Sequence, residues 1–208
     1  MEHDHGPGKC SCFKEMKDQD PFGEDLIGQI DIQAVTAFGE ETADSVKNVF
    51  RLRDEMLDFP EISLKSDEDD PQMVIWIPFT TDVKAKALTI IGGDEGSAPK
   101  TIHLYVNWEN IDFSILEEFE PTQTIEGIEN PRGEVEYPLK ISNFSNVSTL
   151  AIGIEDNYGA SQTEIKYIGL KGENTGMRAR AVITVYESWA NMKDHKTDLK
   201  DQIGKDIQ

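Results

Sequence analysis

The side chains with the most obvious chemistry gather at the start of the chain. His3, His5, Cys10 and Cys12 bring two imidazoles and two thiols close together. That donor set suits zinc or copper and could fill a tetrahedral shell. The spacing matches no structural zinc motif, and Gly6, Pro7 and Gly8 loosen the intervening chain. An unstructured segment with incidental ligands is the plainer reading, and a zinc-holding tail the sharper one. Cys10-Ser11-Cys12 is not the two-residue-spaced redox pair, and a disulfide across one residue would be strained.

The acidic run Asp67-Glu68-Asp69-Asp70 is the next candidate. Calcium takes oxygen ligands, but the run lacks the alternating spacing and the glycine of an EF-hand loop, and Pro71 stiffens its end. A solvated turn is expected, with Asp67, Asp69 and Asp70 as candidates for meeting a basic partner. The segment Gly92 to Thr101 mimics a phosphate loop. Pro99 stands where the glycine before Lys-Thr belongs, Asp94 replaces the first glycine, and the acids would repel phosphate. No strand-to-helix elbow frames a serine, and of four histidines only His103 lies in the expected folded region. The expectation is therefore a protein that is not an enzyme, with no catalytic and no cofactor-binding residue.

Short strands must position these groups. Met73 to Ile77 is an unbroken apolar run closed by Pro78, and Ala87 to Ile91 is a second one ending at Gly92-Gly93. Each reads as a central strand buried on both faces. Leu26 to Ile32 reads as a first strand, and Asp31 as the cap of a helical turn from Ile32 to Phe38. Glu40 to Asn48 reads as loop and Val49 to Arg53 as a short extended piece. Thr101 to Val106 alternates with Ile102, Leu104 and Val106 inward, which puts His103 at the rim beside Thr101 and Tyr105. Thr122 to Ile125, Glu134 to Tyr137 and Val147 to Ile154 are further strands. The segment Glu164 to Leu170 changes phase at Tyr167-Ile168, which predicts a β-bulge near Gly169. Arg178 to Tyr186 closes the β region. Eight or nine short strands without a helix of ordinary length imply an all-β sandwich or barrel.

The 208 residues carry 20 basic and 40 acidic side chains, a net charge of −20. Such a surface repels nucleic acid and anionic lipid, so any steered partner should be basic. No stretch approaches the roughly 20 apolar residues that span a bilayer, and the first residues lack a signal pattern. The expected location is the cytoplasm and also the nucleus, which makes the sequons at Asn143 and Asn146 chance matches. Residues 1–24 read as a flexible His/Cys-bearing tail, 25–188 as the sandwich domain and 189–208 as a polar C-terminal tail. In that last tail Leu199, Ile203 and Ile207 recur every four residues, a thin stripe that suits a frayed end or a peptide that folds on a partner.

Three phrases recur in the order of a known family: Ser66 to Asp70 running into Ile77-Pro78-Phe79, Lys140-Ile141-Ser142-Asn143-Phe144-Ser145-Asn146-Val147, and Tyr167-Ile168-Gly169-Leu170-Lys171-Gly172-Glu173. Together they resemble the PITH domain, the proteasome-interacting module that follows thioredoxin in thioredoxin-like proteins. The chain looks like a PITH-domain protein without the thioredoxin domain. The resemblance implies a jelly-roll sandwich of the galactose-binding type and association with the regulatory particle of the 26S proteasome, by a monomer when free. It carries no catalytic motif, and the third phrase also has a purely structural reading, with Gly169 and Gly172 serving a bulge and a turn. His195, Leu199 and Ile203 join the acidic turn as partner-binding candidates. A tail residue among His3, His5, Cys10, Cys12 and His195 could reach a partner's metal, the proteasome's zinc deubiquitinase being the obvious target. Two other readings stand beside this one: a carbohydrate- or small-ligand-binding sandwich using Trp76, Trp108 or Trp189, and a metal- or redox-responsive protein acting through the N-terminal group.

Overall fold

The computed structural model describes residues 20–108 and 111–176. Its strands are β1 (Glu24–Asp25), β2 (Thr36–Phe38), β3 (Leu64–Lys65), β4 (Met73–Gly92), β5 (Pro99–Val106), β6 (Gln123–Glu126), β7 (Tyr137–Pro138), β8 (Val147–Asn157) and β9 (Glu164–Asn174). One short helix, α1 (Ser114–Glu118), accompanies them. Every strand pairing is antiparallel.

β4 builds both layers. Twenty extended residues would reach about 65 Å if straight, so a strand this long must bend. From Met73 to Pro78 it pairs with β8, and from Val83 to Gly92 with β9, with the register broken in between. β8 ends and β9 begins at the same end of the body, where Tyr158 and Glu164 donate their N–H groups to Gly96 and Ser97. The two halves of β4 therefore run in opposite directions in facing layers. One layer has the order β2, β4, β8, β5, β6. The other sets β1 and β3 against β9, then β4, then β7. The result is an all-β jelly-roll sandwich of the galactose-binding type.

The core lies between the layers. Met73, Ile75, Ile77, Leu88 and Ile90 of β4 meet Ile102 and Leu104, Leu150, Ile152 and Ile154, and Ile165, Ile168 and Leu170, all buried. A second cluster sits on the outer face of the first layer, where Ile115 and Leu116 of α1 cover Val74, Tyr105 and Ala151. That cover explains why Met73–Ile77 is apolar on both faces.

Several expectations change. The two apolar runs expected as separate strands are one, because Pro78 stands at the last paired position before the break, where a missing N–H costs least. Leu26 to Ile32 is not a strand but two tight turns, Ile27–Gln29 and Ile32–Ala34. Leu26 and Ile30 still reach the core from them, since an apolar pair four apart serves a turn as well as alternation does. Asp31 occupies the cap position without a side-chain bond, and Thr36–Phe38 is strand rather than helix. The turn Ser45–Val49 replaces the loop expected there, because the Glu40 carboxylate accepts from the Asp44 and Val46 N–H groups and the Ser45 hydroxyl. Of the extended piece expected from Val49 to Arg53, Phe50 and Leu52 are extended, while Val49 ends one turn and Arg53 begins the next, Arg53–Glu55. In β9 the phase change is real, but the extra residue is Lys166, between Ile165 and Tyr167, with a second one at Lys86 of β4. The strand expected at Arg178 to Tyr186 lies outside the described residues.

The third family phrase owes its glycines to packing. A Cβ on Gly169 would lie 2.5 Å from the Tyr167 hydroxyl, and one on Gly172 would lie 2.0 Å from the Lys84 carbonyl oxygen. Residues 20–24, assigned by composition to the N-terminal tail, hold onto this strand. The Asp20 carboxylate pairs with Lys171, and Gly23 packs on the Gly172 carbonyl.

Candidate partner-binding surface

Three loops meet where β8 hands over to β9. Ser66 N–H donates to Thr163 O (2.9 Å), the Thr163 hydroxyl to Pro71 O (2.7 Å), and Gln162 Nε2 to Ser66 O (3.0 Å). Asn157 knits the β8–β9 loop from inside. Its Nδ2 donates to the carbonyls of Ala160 and Gln162, and its Oδ1 accepts from Gly159 N–H. The acidic turn rides on this frame. Asp67 N–H donates to Gly39 O, Asp70 Oδ1 caps the Gln72 N–H at 2.9 Å, and Asp69 takes a left-handed φ of 63° that closes the turn. Asp67, Glu68, Asp69 and Asp70 are all exposed. Asp67, Asp69 and Asp70 thus share one exposed, hydrogen-bonded turn, the solvated turn that the sequence suggested.

Beside the turn, on the flank of β9, lies a surface that sequence reasoning passed over. The connection from Phe50 to Leu64 is pinned by those two buried residues. Successive turns order it, with Glu55, Met56 and Asp58 N–H groups donating to the Leu52, Arg53 and Glu55 carbonyls. Arg51 ties it down by donating to Lys166 O (2.8 Å) and resting over the Tyr167 ring, 5.7 Å from its centre. Asn48 Nδ2 donates to Ile62 O at 3.2 Å and closes the far end. Yet Leu52, Leu57, Phe59 and Ile62 stand 45–55% exposed. A hollow of about 310 Å³ opens between Phe59, Pro60, Ile62, Glu41, Thr42 and Lys166. A neighbouring one of about 250 Å³ shares Lys65 and Glu164 with it and is edged by Asp94, Glu95 and Gln162. Five carboxylates (Glu41, Glu61, Asp94, Glu95, Glu164) and only two ammonium groups (Lys65, Lys166) line the pair. Lys166 is already committed, 2.7 Å from Asp94 and 5.3 Å from the Phe59 ring.

Under this surface Tyr167 is fully buried, and burial pushes its phenol up to about 12, with the Asp25 carboxylate adding to the effect and the two nearby arginines opposing it. The unfolded phenol ionises near 10. Stability is therefore untouched below about pH 10 and lost as pH rises from about 10 to 12, by roughly 2–3 kcal/mol in all. Urea midpoints at pH 9 and 11.5 should show this loss shrinking in Tyr167→Phe, and equal losses in the two proteins would refute the assignment.

Lys171 lies in a nearly closed cluster with Glu136 (2.7 Å) and Asp20, and Arg53 also reaches Glu136. Burial alone would lower the lysine, but its two carboxylate partners outweigh that and hold it above its usual value. This network ties the N-terminal segment to β9, and its charges are internally spent.

His103 is at the rim, as expected, but it is engaged. Its Nε2 lies 2.7 Å from Glu155 Oε2 and its Nδ1 3.0 Å from Thr124 Oγ1. This hydroxyl, imidazole and carboxylate row imitates a catalytic triad on the open outer face of β6, β5 and β8. β5 lies between the other two strands, pairing with β6 on one side and β8 on the other. Its neighbour Tyr105 is buried rather than exposed, because α1 covers it, and its hydroxyl has no partner among the described residues. Trp76, within the run expected to be buried on both faces, is half-buried on the outer face and donates its indole N–H to Trp108 O at 2.9 Å. Trp108 packs edge-on against Phe119 with ring centres 4.5 Å apart.

No group of three or more His, Cys, Asp or Glu side chains converges as a metal site among the described residues. His3, His5, Cys10, Cys12, His195, Leu199, Ile203 and Trp189 lie outside them.

Comparison with known proteins adds the following. The sequence model of the PITH domain matches residues 17–190. The chain is 38% identical over 198 residues to PITH domain-containing protein 1 of Homo sapiens, covering 93% of this chain and 92% of that protein. Among solved structures it is similar to CpGH89 from Clostridium perfringens in complex with its substrate GlcNAc-alpha-1,4-galactose. The TM-score is 0.52 at 17% identity, over 77% of this chain and 16% of that one. It is also similar to the CBM32-1 and CBM32-2 domains of ZmpB from the same organism in complex with GalNAc, with a TM-score of 0.50 at 11% identity, over 71% of this chain and 35% of that one. At these identities the two structures speak for the fold alone.

Proposed function

The chain belongs to the PITH domain family, and from that premise we propose that it is a non-enzymatic interaction module that associates with the regulatory particle of the 26S proteasome. The observation that carries the reading is the family match across residues 17–190, since the proteasome role is what the family resemblance implies. The acidic turn supports it physically. Exposed carboxylates held on an ordered turn raise the encounter rate with a basic patch and select it over acidic surfaces, while adding little to the lifetime of the complex. The expected setting is the cytoplasm and nucleus.

Purified regulatory particle on a biosensor tests the reading. The full-length chain should bind at low salt, with association slowing as salt rises. Asp67→Asn, Asp69→Asn and Asp70→Asn combined should slow association by about 3- to 10-fold and leave dissociation nearly unchanged. No binding at low salt would remove the reading.

The carbohydrate-binding reading comes second. The fold is compatible with it, but Trp76 has spent its N–H on Trp108, and Trp108 leans on Phe119. Silence on a glycan array would retire it. For the N-terminal tail the proposal is that His3, His5, Cys10 or Cys12, or His195 at the other end, meets zinc, either its own or a partner's. Alanine at these positions should then weaken zinc retention or alter the partner deubiquitinase's activity, and no change in either would end the idea.

A further inference from the structure

Four of the nine large apolar side chains that stand exposed among the described residues fall between Leu52 and Ile62: Leu52, Leu57, Phe59 and Ile62. Scattered single exposures are ordinary, but a group on one short, ordered loop marks an interaction surface. Asp54, Glu55, Asp58 and Glu61 alternate with them, and all four are exposed without an ion pair among the described residues. The loop's own cations are consumed elsewhere, Arg51 on backbone carbonyls and Arg53 on Glu136. The hollows beside Phe59 and Ile62 continue the same character, with five carboxylates against two lysines.

We propose that the loop Leu52–Ile62, with the hollow beside Phe59 and Ile62, is the docking surface for a partner protein segment that carries lysine or arginine next to leucine-type side chains. The proposal rests on the reading of this chain as a regulatory-particle-associating module and says which face it uses. The partner's apolar groups cover Leu57, Phe59 and Ile62, and its cations enter the carboxylate-edged hollows. Charge complementarity selects this occupant. A second copy of this acidic chain would bring like charge to the surface, and an acidic peptide would be repelled. Nucleic acid and anionic lipid fail for the same reason. The loop's hydrogen-bonded turns keep the ordering cost of docking low.

The test places a photo-crosslinking phenylalanine analogue at Phe59, and in a second full-length protein at Ile141. Ile141 is 49% exposed and lies two residues beyond Leu139, whose N–H donates to Lys86 O of β4. Each is irradiated with purified regulatory particle. Position 59 should crosslink to a segment containing Lys or Arg beside apolar residues, and position 141 should not. In parallel, Leu57→Ser, Phe59→Ser and Ile62→Ser combined should raise the Kd for the regulatory particle at least 30-fold with an unchanged melting temperature, since all three side chains are half-exposed. If the wild-type chain binds but position 59 gives no crosslink and the serine variant binds equally well, the loop proposal falls while the association reading stands. A crosslink from position 59 to an acidic segment overturns the partner chemistry. If the wild-type chain does not bind at all, both fall.

Discussion

Gly172→Ala is expected to cost roughly 3 kcal/mol and to lower the melting temperature by about 6–12 °C. The new methyl would sit 2.0 Å from the carbonyl oxygen of Lys84 and 3.0 Å from its carbon. Both are backbone atoms held in the β4–β9 ladder, so no side chain can swing aside. The position is also hemmed in from the other flank, where Gly23, at a φ of +90°, lies against the Gly172 carbonyl. Three stretches of main chain converge there, at the register break beside Lys86. Gly28→Ala is the control, because a Cβ there meets nothing within 4 Å, and it should be neutral within about 0.5 kcal/mol. Chemical denaturation of the two variants settles the matter, and a loss below 1 kcal/mol for Gly172→Ala would mean that the strands can part without penalty.

The second large effect is expected at Asn157→Leu. The asparagine is 3% exposed, and its amide satisfies the Ala160 and Gln162 carbonyls and the Gly159 N–H at 2.9–3.1 Å. Leucine has a similar volume but strands these groups, which should cost roughly 3 kcal/mol. The consequence reaches the surface. Gln162 and Thr163 are the residues that grip Ser66 and Pro71, so loosening the β8–β9 loop should loosen the acidic turn with it. Amide hydrogen exchange should accelerate together in residues 158–163 and 66–72. Faster exchange confined to the first segment would show that the acidic turn holds itself.

These two positions show what a linear reading could reach. Gly172 stood in a phrase read both as family signature and as turn chemistry, and the structure gives its reason as contact between distant backbones. Nothing local marks Asn157, because its partners come into place only when the β8–β9 loop folds over it. The exposed apolar loop is hidden from a linear reading for a related reason. Leu52, Leu57, Phe59 and Ile62 have no clean period of 2 or 3.6, and a short irregular apolar segment resembles core until burial is measured. The acidic turn is legible in the sequence, because four consecutive acids ending at a proline favour a solvated turn over strand or helix.

Alternation by itself determined the β class, the facing of Ile102 and Leu104 and of Leu150, Ile152 and Ile154, and the rim position of His103, because a pleated strand turns every second side chain to the same side. The net charge of −20 set the expectation that a steered partner is basic. Only the tertiary structure decided that the two apolar runs are one strand bent between layers, that Tyr105 is covered while Phe59 is bare, and that the acidic turn and the apolar loop lie side by side. Those outcomes depend on which surfaces meet across the sandwich, and the local pattern of a chain does not encode which of its faces will find cover.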